Sequence, residues 1–272
     1  MNGKKKIAAI ASAAVIGAST IAGGTATACN TAQNNEDSSA NYAQQVAQAY
    51  ENTFDNTEFL AVEKTLDSSL TITKNGTSRV IKLNGEDRMV FSNSSSALIT
   101  QETYRDSTYA NLNRDLQIYT ISPKHGDSSK SLHIDNGEKT LWEFNAYSKN
   151  SCKKTLNLNM YIGKDALESF KSNWTKLDDQ YVCNANLDDQ WPTNIKVTLK
   201  DNKISNVQIT ETKEHIEDII CVANRYKNFD TKTTQYSFFT LNSEEFDFHY
   251  QNVSSYITDY VNDNGYYPEP TV

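Results

Sequence analysis

Apolar positions along the chain fall into three regimes. Before residue 25 they are nearly continuous: Lys4, Lys5 and Lys6 precede an apolar run over 7–24, thinned only by Ser, Thr and Gly. Over 41–56 they take a helical period, with Tyr42, Val46, Tyr50 and Phe54 four apart and Ala43 and Ala47 beside them. From Phe59 onward the period shortens to two, the mark of strands that bury one face.

The alternation predicts strands over 59–74, 77–83, 88–92, 112–122, 131–135 and 139–147. Asn75-Gly76, Asn84-Gly85 and Asn136-Gly137 separate several of them, and this dipeptide suits a type I′ hairpin because both positions tolerate positive φ. Over 155–162 Leu156, Leu158, Met160 and Ile162 alternate with Asn157 and Asn159, which predicts a further strand. A short helix is expected over 164–172, and strands over 174–177 and 180–185. The clearest hairpin joins 194–199 to 203–210 around Lys200-Asp201-Asn202. Residues 217–225 fit a strand or a helix, 235–241 and 245–250 read as strands, and 262–272, with Gly265, Pro268 and Pro270, as a disordered tail. Turns at this spacing indicate an antiparallel meander rather than βαβ units. The expected fold is α+β: a strongly curved antiparallel sheet, a half-barrel, covering the N-terminal helix, with a short mid-chain helix.

The first regime is an address. A basic cluster, an apolar run and Ala26-Thr27-Ala28 describe a secretory signal peptide over 1–28. The small residues leading into Cys29 resemble the lipobox of bacterial lipoproteins, whose cysteine receives a diacylglyceryl group. They also read as Ala-x-Ala, the ordinary cleavage signal, which would release a soluble secreted protein. The polar stretch that follows, NTAQNNEDSSA, favours lipidation, because it lacks the apolar residues to offset its ordering entropy and suits a flexible tether over 29–40. A single ectodomain over 41–261 follows. Two acyl chains on Cys29 anchor stably where one binds only reversibly.

Composition then excludes classes. The chain has 272 residues and a net charge of −8, which argues against nucleic acid as a partner. Four cysteines, Cys29, Cys152, Cys183 and Cys221, are allowed disulfides outside the cytosol. If Cys29 is acylated, at most one bridge forms, and Cys152 with Cys183 is the pairing expected. If it is not, two bridges are open.

Chemistry is sparse. The chain lacks a nucleophile elbow, a phosphate loop and a zinc-protease helix. His125, His133, His215 and His249 are scattered, and His215 with Glu217 and Asp218 reads as a solvated charged patch. Asp178-Asp179 and Asp188-Asp189, near Trp174 and Trp191, admit calcium or glycoside chemistry but read first as turn residues. Abundant tyrosines read as half-buried strand residues with a wet hydroxyl. No catalysis, cofactor or metal is expected.

A lipoprotein-like signal, a polar tether, an N-terminal helix and then a long hairpin meander, including Trp174-Thr175-Lys176 and the hairpin over 194–210, resemble the half-open β-barrel lipoproteins. That group contains the LolA and LolB carriers and the mycobacterial LppX-like proteins. The resemblance implies a lipid or other apolar ligand held between sheet and helix, and it carries no functional residue across position by position. The function expected is a non-catalytic binding module, lipid-anchored through Cys29 on the extracytoplasmic face of the cell membrane. The alternative is a surface interaction or adhesion lipoprotein with a filled core, recognising a protein or glycan.

Overall fold

A computed structural model describes residues 27–123, 128–144, 156, 158–186, 192–212 and 231–264. A long helix, α1 (Thr27–Asp55), leads into six strands: β1 (Leu60–Lys74), β2 (Thr77–Phe91), β3 (Ser96–Asp106), β4 (Arg114–Ser122), β5 (Ser129–Asp135) and β6 (Glu138–Phe144). Two short helices, α2 (Asn159–Ile162) and α3 (Lys164–Ser169), precede β7 (Trp174–Leu177), β8 (Gln180–Asn186), β9 (Pro192–Lys200), β10 (Lys203–Thr212) and β11 (Thr231–Thr240). A second long helix, α4 (Ser243–Asn264), follows.

The strands form one curved, open antiparallel sheet in the order β6-β5-β4-β3-β2-β1-β11-β10-β9-β8-β7. Its centre joins the first and last strands, from Leu60 opposite Thr240 to Ser69 opposite Thr231. Turn chemistry explains the hairpins. Asn75 and Gly76 (φ +52° and +76°), Asn136 and Gly137 (+49° and +91°) and Asp201 and Asn202 (+52° and +57°) all occupy the left-handed region that a tight two-residue turn demands.

Four expectations need correction. Asn84-Gly85 is not a turn: neither residue has positive φ, and β2 runs through them with Asn84 opposite Asp67 and Thr103. Residues 96–106, given no element above, form β3, whose apolar residues are consecutive because Leu98 packs on the α1 side and Ala97 and Ile99 on the α4 side. The alternating run 155–162 is not a strand over its described part. Leu158, Tyr161 and Ile162 are buried at helical spacing around α2. Residues 245–250 are helical, and α4 continues to Asn264. There Phe246, Tyr250, Val253, Ile257 and Tyr260 recur at alternate gaps of four and three, and this stripe faces the sheet.

The first helix also differs in length. It takes in the backbone of 29–40, read above as a flexible tether, in a stretch without Gly or Pro. Ser39 is buried, donates to the Lys171 carbonyl at 2.7 Å and accepts the Trp174 amide at 2.9 Å. Residues 217–225 and 265–272 lie outside the described residues.

The helices cover opposite faces of the sheet. On one, Val46, Tyr50 and Phe54 of α1 pack with Val62, Ile195, Val197, Val207, Ile209 and Phe238. On the other, Phe246, Val253 and Ile257 of α4 pack with Val90, Ala97, Tyr119, Leu132 and Leu141. The central strands serve both sides, because successive side chains alternate: Leu60 and Val62 point to α1, Phe59 and Ala61 to α4.

Candidate functional site

Most residues singled out in the sequence are not assembled into a site. Cys29 lies on α1, with its side chain outside the described residues, as are Cys152, Cys221, Asp188, Asp189, His125 and His215. Cys183, on β8 beside Trp174, is a fully buried free thiol, and burial pushes its pKa up to about 12. Its expected partner Cys152 is not among the described residues, and the inward packing of Cys183 is that of a small apolar side chain. Asp178 and Asp179 make the β7–β8 turn, Asp178 at φ +54°. His133 on β5 is half-buried beside Trp142, and desolvation, with Arg114 nearby, pulls its pKa down. His249 is exposed on α4. Among the described residues no cluster of three or more His, Cys, Asp or Glu is placed to hold a metal ion.

Two groupings emerge that the sequence did not announce. The first lies inside, on the α1 face. Lys64 pairs with Asp87 at 2.7 Å across β1 and β2. Glu211 of β10 accepts a hydrogen bond from the Tyr161 hydroxyl at 2.9 Å and from Lys232 at 2.8 Å. Tyr236 donates to the Leu156 carbonyl at 2.9 Å. Burial raises the pKa of Tyr161 and of Tyr236, with the carboxylates of Glu211 and Asp87 adding to it. These bonds fasten the segment around α2 to the sheet. They satisfy one another, so the grouping is a structural network rather than an open site.

The second grouping is a cleft of about 300 Å³ where α4 starts. Its aromatic wall is Phe59, Phe246 and Tyr250, with ring centroids 5.2 Å apart between the first two and 5.9 Å between the last two. The β2–β3 turn makes the opposite side. Ser92 folds it by accepting the amides of Ser94 and Ser95, at 3.3 and 3.0 Å, on its hydroxyl oxygen. Glu58 and Asp247 stand at the lining, both exposed.

Local chemistry sets this geometry. Asn242 and Glu245 form a capping box: the Asn242 amide donates to the Glu245 carboxylate and the Glu245 amide to the Asn242 side chain, each at 2.9 Å. That fixes the start of α4. The Leu241 amide then donates to the Phe59 carbonyl at 3.0 Å, which sets Phe246 against Phe59. The capping box, followed by a stripe at helical spacing, marks the start of α4 in the sequence but not the meeting of Phe246 with Phe59.

The cleft brings together aromatic side chains, hydroxyls and two carboxylates, groups that can hold a ligand. Among the described residues no helix is long and apolar enough to cross a membrane. Compared with models of protein families and with curated proteins, the chain matches none.

Proposed function

We propose that the chain is a bacterial lipoprotein, held through Cys29 on the extracytoplasmic face of the membrane, that acts as a non-catalytic binding module and meets its partner on its surface. The anchoring part rests on the order of basic cluster, apolar run and small residues before Cys29. One observation favours surface binding over carriage of an apolar ligand. The face of the sheet where a carrier would hold its cargo is occupied by α1, with Val46, Tyr50 and Phe54 and the opposing Ile195, Val197, Val207 and Ile209 all at 1% exposure or less. A carrier of this design needs an apolar cleft between helix and sheet. The cleft at α4 sets one aromatic wall against serines and carboxylates and lies on the other face.

Mass spectrometry of the full chain, expressed in a bacterium and purified from membranes, tests both parts. Under denaturing conditions the mass is expected to begin at Cys29 and to carry a diacylglyceryl group, whereas an unmodified cysteine removes the anchor. Under native conditions no further lipid is expected. A stoichiometric bound lipid restores the carrier and removes the surface-binding reading.

A further inference from the structure

We infer that the outer edge of β6 pairs with the same edge of a second copy of this chain, antiparallel and centred on Leu141. The inference goes beyond the surface-binding reading above and does not depend on it.

The open sheet leaves two edges, β7 and β6. An exposed edge offers a row of backbone amides and carbonyls to any strand that fits, and proteins defend such edges. β7 is defended, because it has four residues and its first amide donates to the Ser39 hydroxyl of α1. β6 is not. It runs for seven residues without Pro or Gly, in unbroken register with β5 from Glu138 opposite Asp135 to Phe144 opposite Ser129. Among the described residues none of its backbone groups bonds outside that ladder. Alternate amides and carbonyls of β6 therefore point away from β5 with no strand to receive them.

Charge decides what fits there. Lys139, Leu141 and Glu143 share one face of β6, and Leu141 packs with α4. In an antiparallel pair centred on Leu141, residues equally distant from it meet. Lys139 then stands opposite Glu143 of the second copy and Glu143 opposite its Lys139, so the twofold axis makes the attraction twice. Neither side chain has an ion pair or a hydrogen bond among the described residues, and Lys139 lies 5.8 Å from the Tyr260 ring. On the other face Thr140 meets Trp142 of the second copy, which covers more of that half-buried ring. Centring the pair on Thr140 or on Trp142 loses both charge contacts.

Such a pair closes on itself. Joining β6 to β7 of the next copy would instead run on as a filament, and the shortness of β7 and its bond to Ser39 oppose that.

The test is sedimentation of the full chain in a mild detergent. Seven residues make a small interface, so a dimer dissociating at about 10 μM is expected. Lys139→Glu or Glu143→Lys sets like charges opposite each other twice and should raise that concentration about tenfold. Both substitutions in one chain should restore it. Mixing the 15N-labelled Lys139→Glu chain with the unlabelled Glu143→Lys chain should give a heterodimer as tight as the wild type, read by native mass spectrometry. That rescue requires the two residues to meet across two chains, which a change in folding does not imitate. Amide hydrogen exchange of the wild type needs no substitution, and 138–144 should exchange more slowly as concentration rises through the dissociation range. A wild type monomeric at about 0.1 mM, growth beyond dimers, single variants that dimerise as the wild type does, or folded variants that form no heterodimer overturns the inference. Exchange over 138–144 that ignores concentration overturns it too, and slow exchange at every dilution would mean that the chain fills this edge itself.

Discussion

Thr53 of α1 accepts the amide hydrogen of Ile204 on its hydroxyl oxygen at 2.8 Å, while donating to the Ala49 carbonyl at 2.7 Å. The pairing of β9 with β10 slips by one residue between Ile204 and Asn206, leaving Ser205 as a bulge. The helix therefore satisfies an amide beside the place where the ladder is irregular. Next to it Lys203 donates to the Asn56 carbonyl at 3.1 Å and to the Thr57 hydroxyl at 2.8 Å, and Asn52 donates to the Asn202 carbonyl. The C-terminal end of α1 is thereby riveted to the β9–β10 turn.

Thr53→Val keeps the shape of the side chain and removes its hydroxyl, stranding the Ile204 amide at a buried position. A loss of about 2 kcal/mol is expected. Denaturant unfolding measures it, as a lower midpoint with an unchanged slope. An unchanged midpoint would show that the amide finds another partner.

Asp106 has a fully buried side chain gripped by Arg79, whose Nε donates to Oδ1 at 3.1 Å and Oδ2 at 2.9 Å. It also accepts the amides of Thr108 and Tyr109. The Arg79 hydrogen bond, opposed by burial and helped by those amides, holds the Asp106 carboxyl below the usual carboxylate range. A depressed pKa contributes stability that is present above the unfolded value, about 3.9, and lost as pH falls toward the folded one. Asp106→Asn should cost about 2 kcal/mol near neutrality, discounted for the partly exposed Arg79. The gap between the two proteins should close below about pH 4. A gap that stays constant to pH 3 would assign the loss to packing.

Alkali should unfold the protein through its interior. Burial raises the pKa of Tyr50, Tyr161 and Tyr236 above the ordinary value of 10.0, and that of Cys183 from 9.0 to about 12. A raised pKa leaves stability intact below the unfolded value and removes it as pH climbs toward the folded one. The decline should therefore begin at about pH 9 and steepen past about 10, each group contributing about 1.4 kcal/mol per pH unit. Tyr161→Phe should make the decline shallower by one proton. Stability that is flat from about pH 8 to 11 would mean these groups ionise without unfolding.

Legibility in the sequence followed local chemistry. Where a turn needs positive φ at two successive residues, Asn75-Gly76, Asn136-Gly137 and Asp201-Asn202 announced it, and the flanking strands came with them. Asn84-Gly85 has the same composition, but β1 and β3 hold both sides of β2 in register across it. Sheet pairing overrides a permissive dipeptide. The start of α4 was masked by Phe246, Phe248 and Tyr250, whose alternation imitates a strand, although Phe248 faces solvent and the true partners of Phe246 lie four and seven residues on. The cleft depends on Phe59 meeting Phe246, a contact between distant segments that no local pattern encodes.

The arrangement of the two long helices ties the fate of one half of the chain to the other. In the N-terminal half of the sheet α4, which follows every described strand, lies against β2 to β5, and in the C-terminal half α1, which precedes them, lies against β7, β9 and β10. Each half thus lends its helix to its neighbour, in the manner of two subunits exchanging arms within one polypeptide. Expressed by itself, the first half would lack α4 over Val90, Ala97, Tyr119, Leu132 and Leu141, and the second would lack α1 over Ile195, Val197, Val207 and Ile209. A nascent chain must wait until α4 is made before that side of the earliest strands is sealed from water.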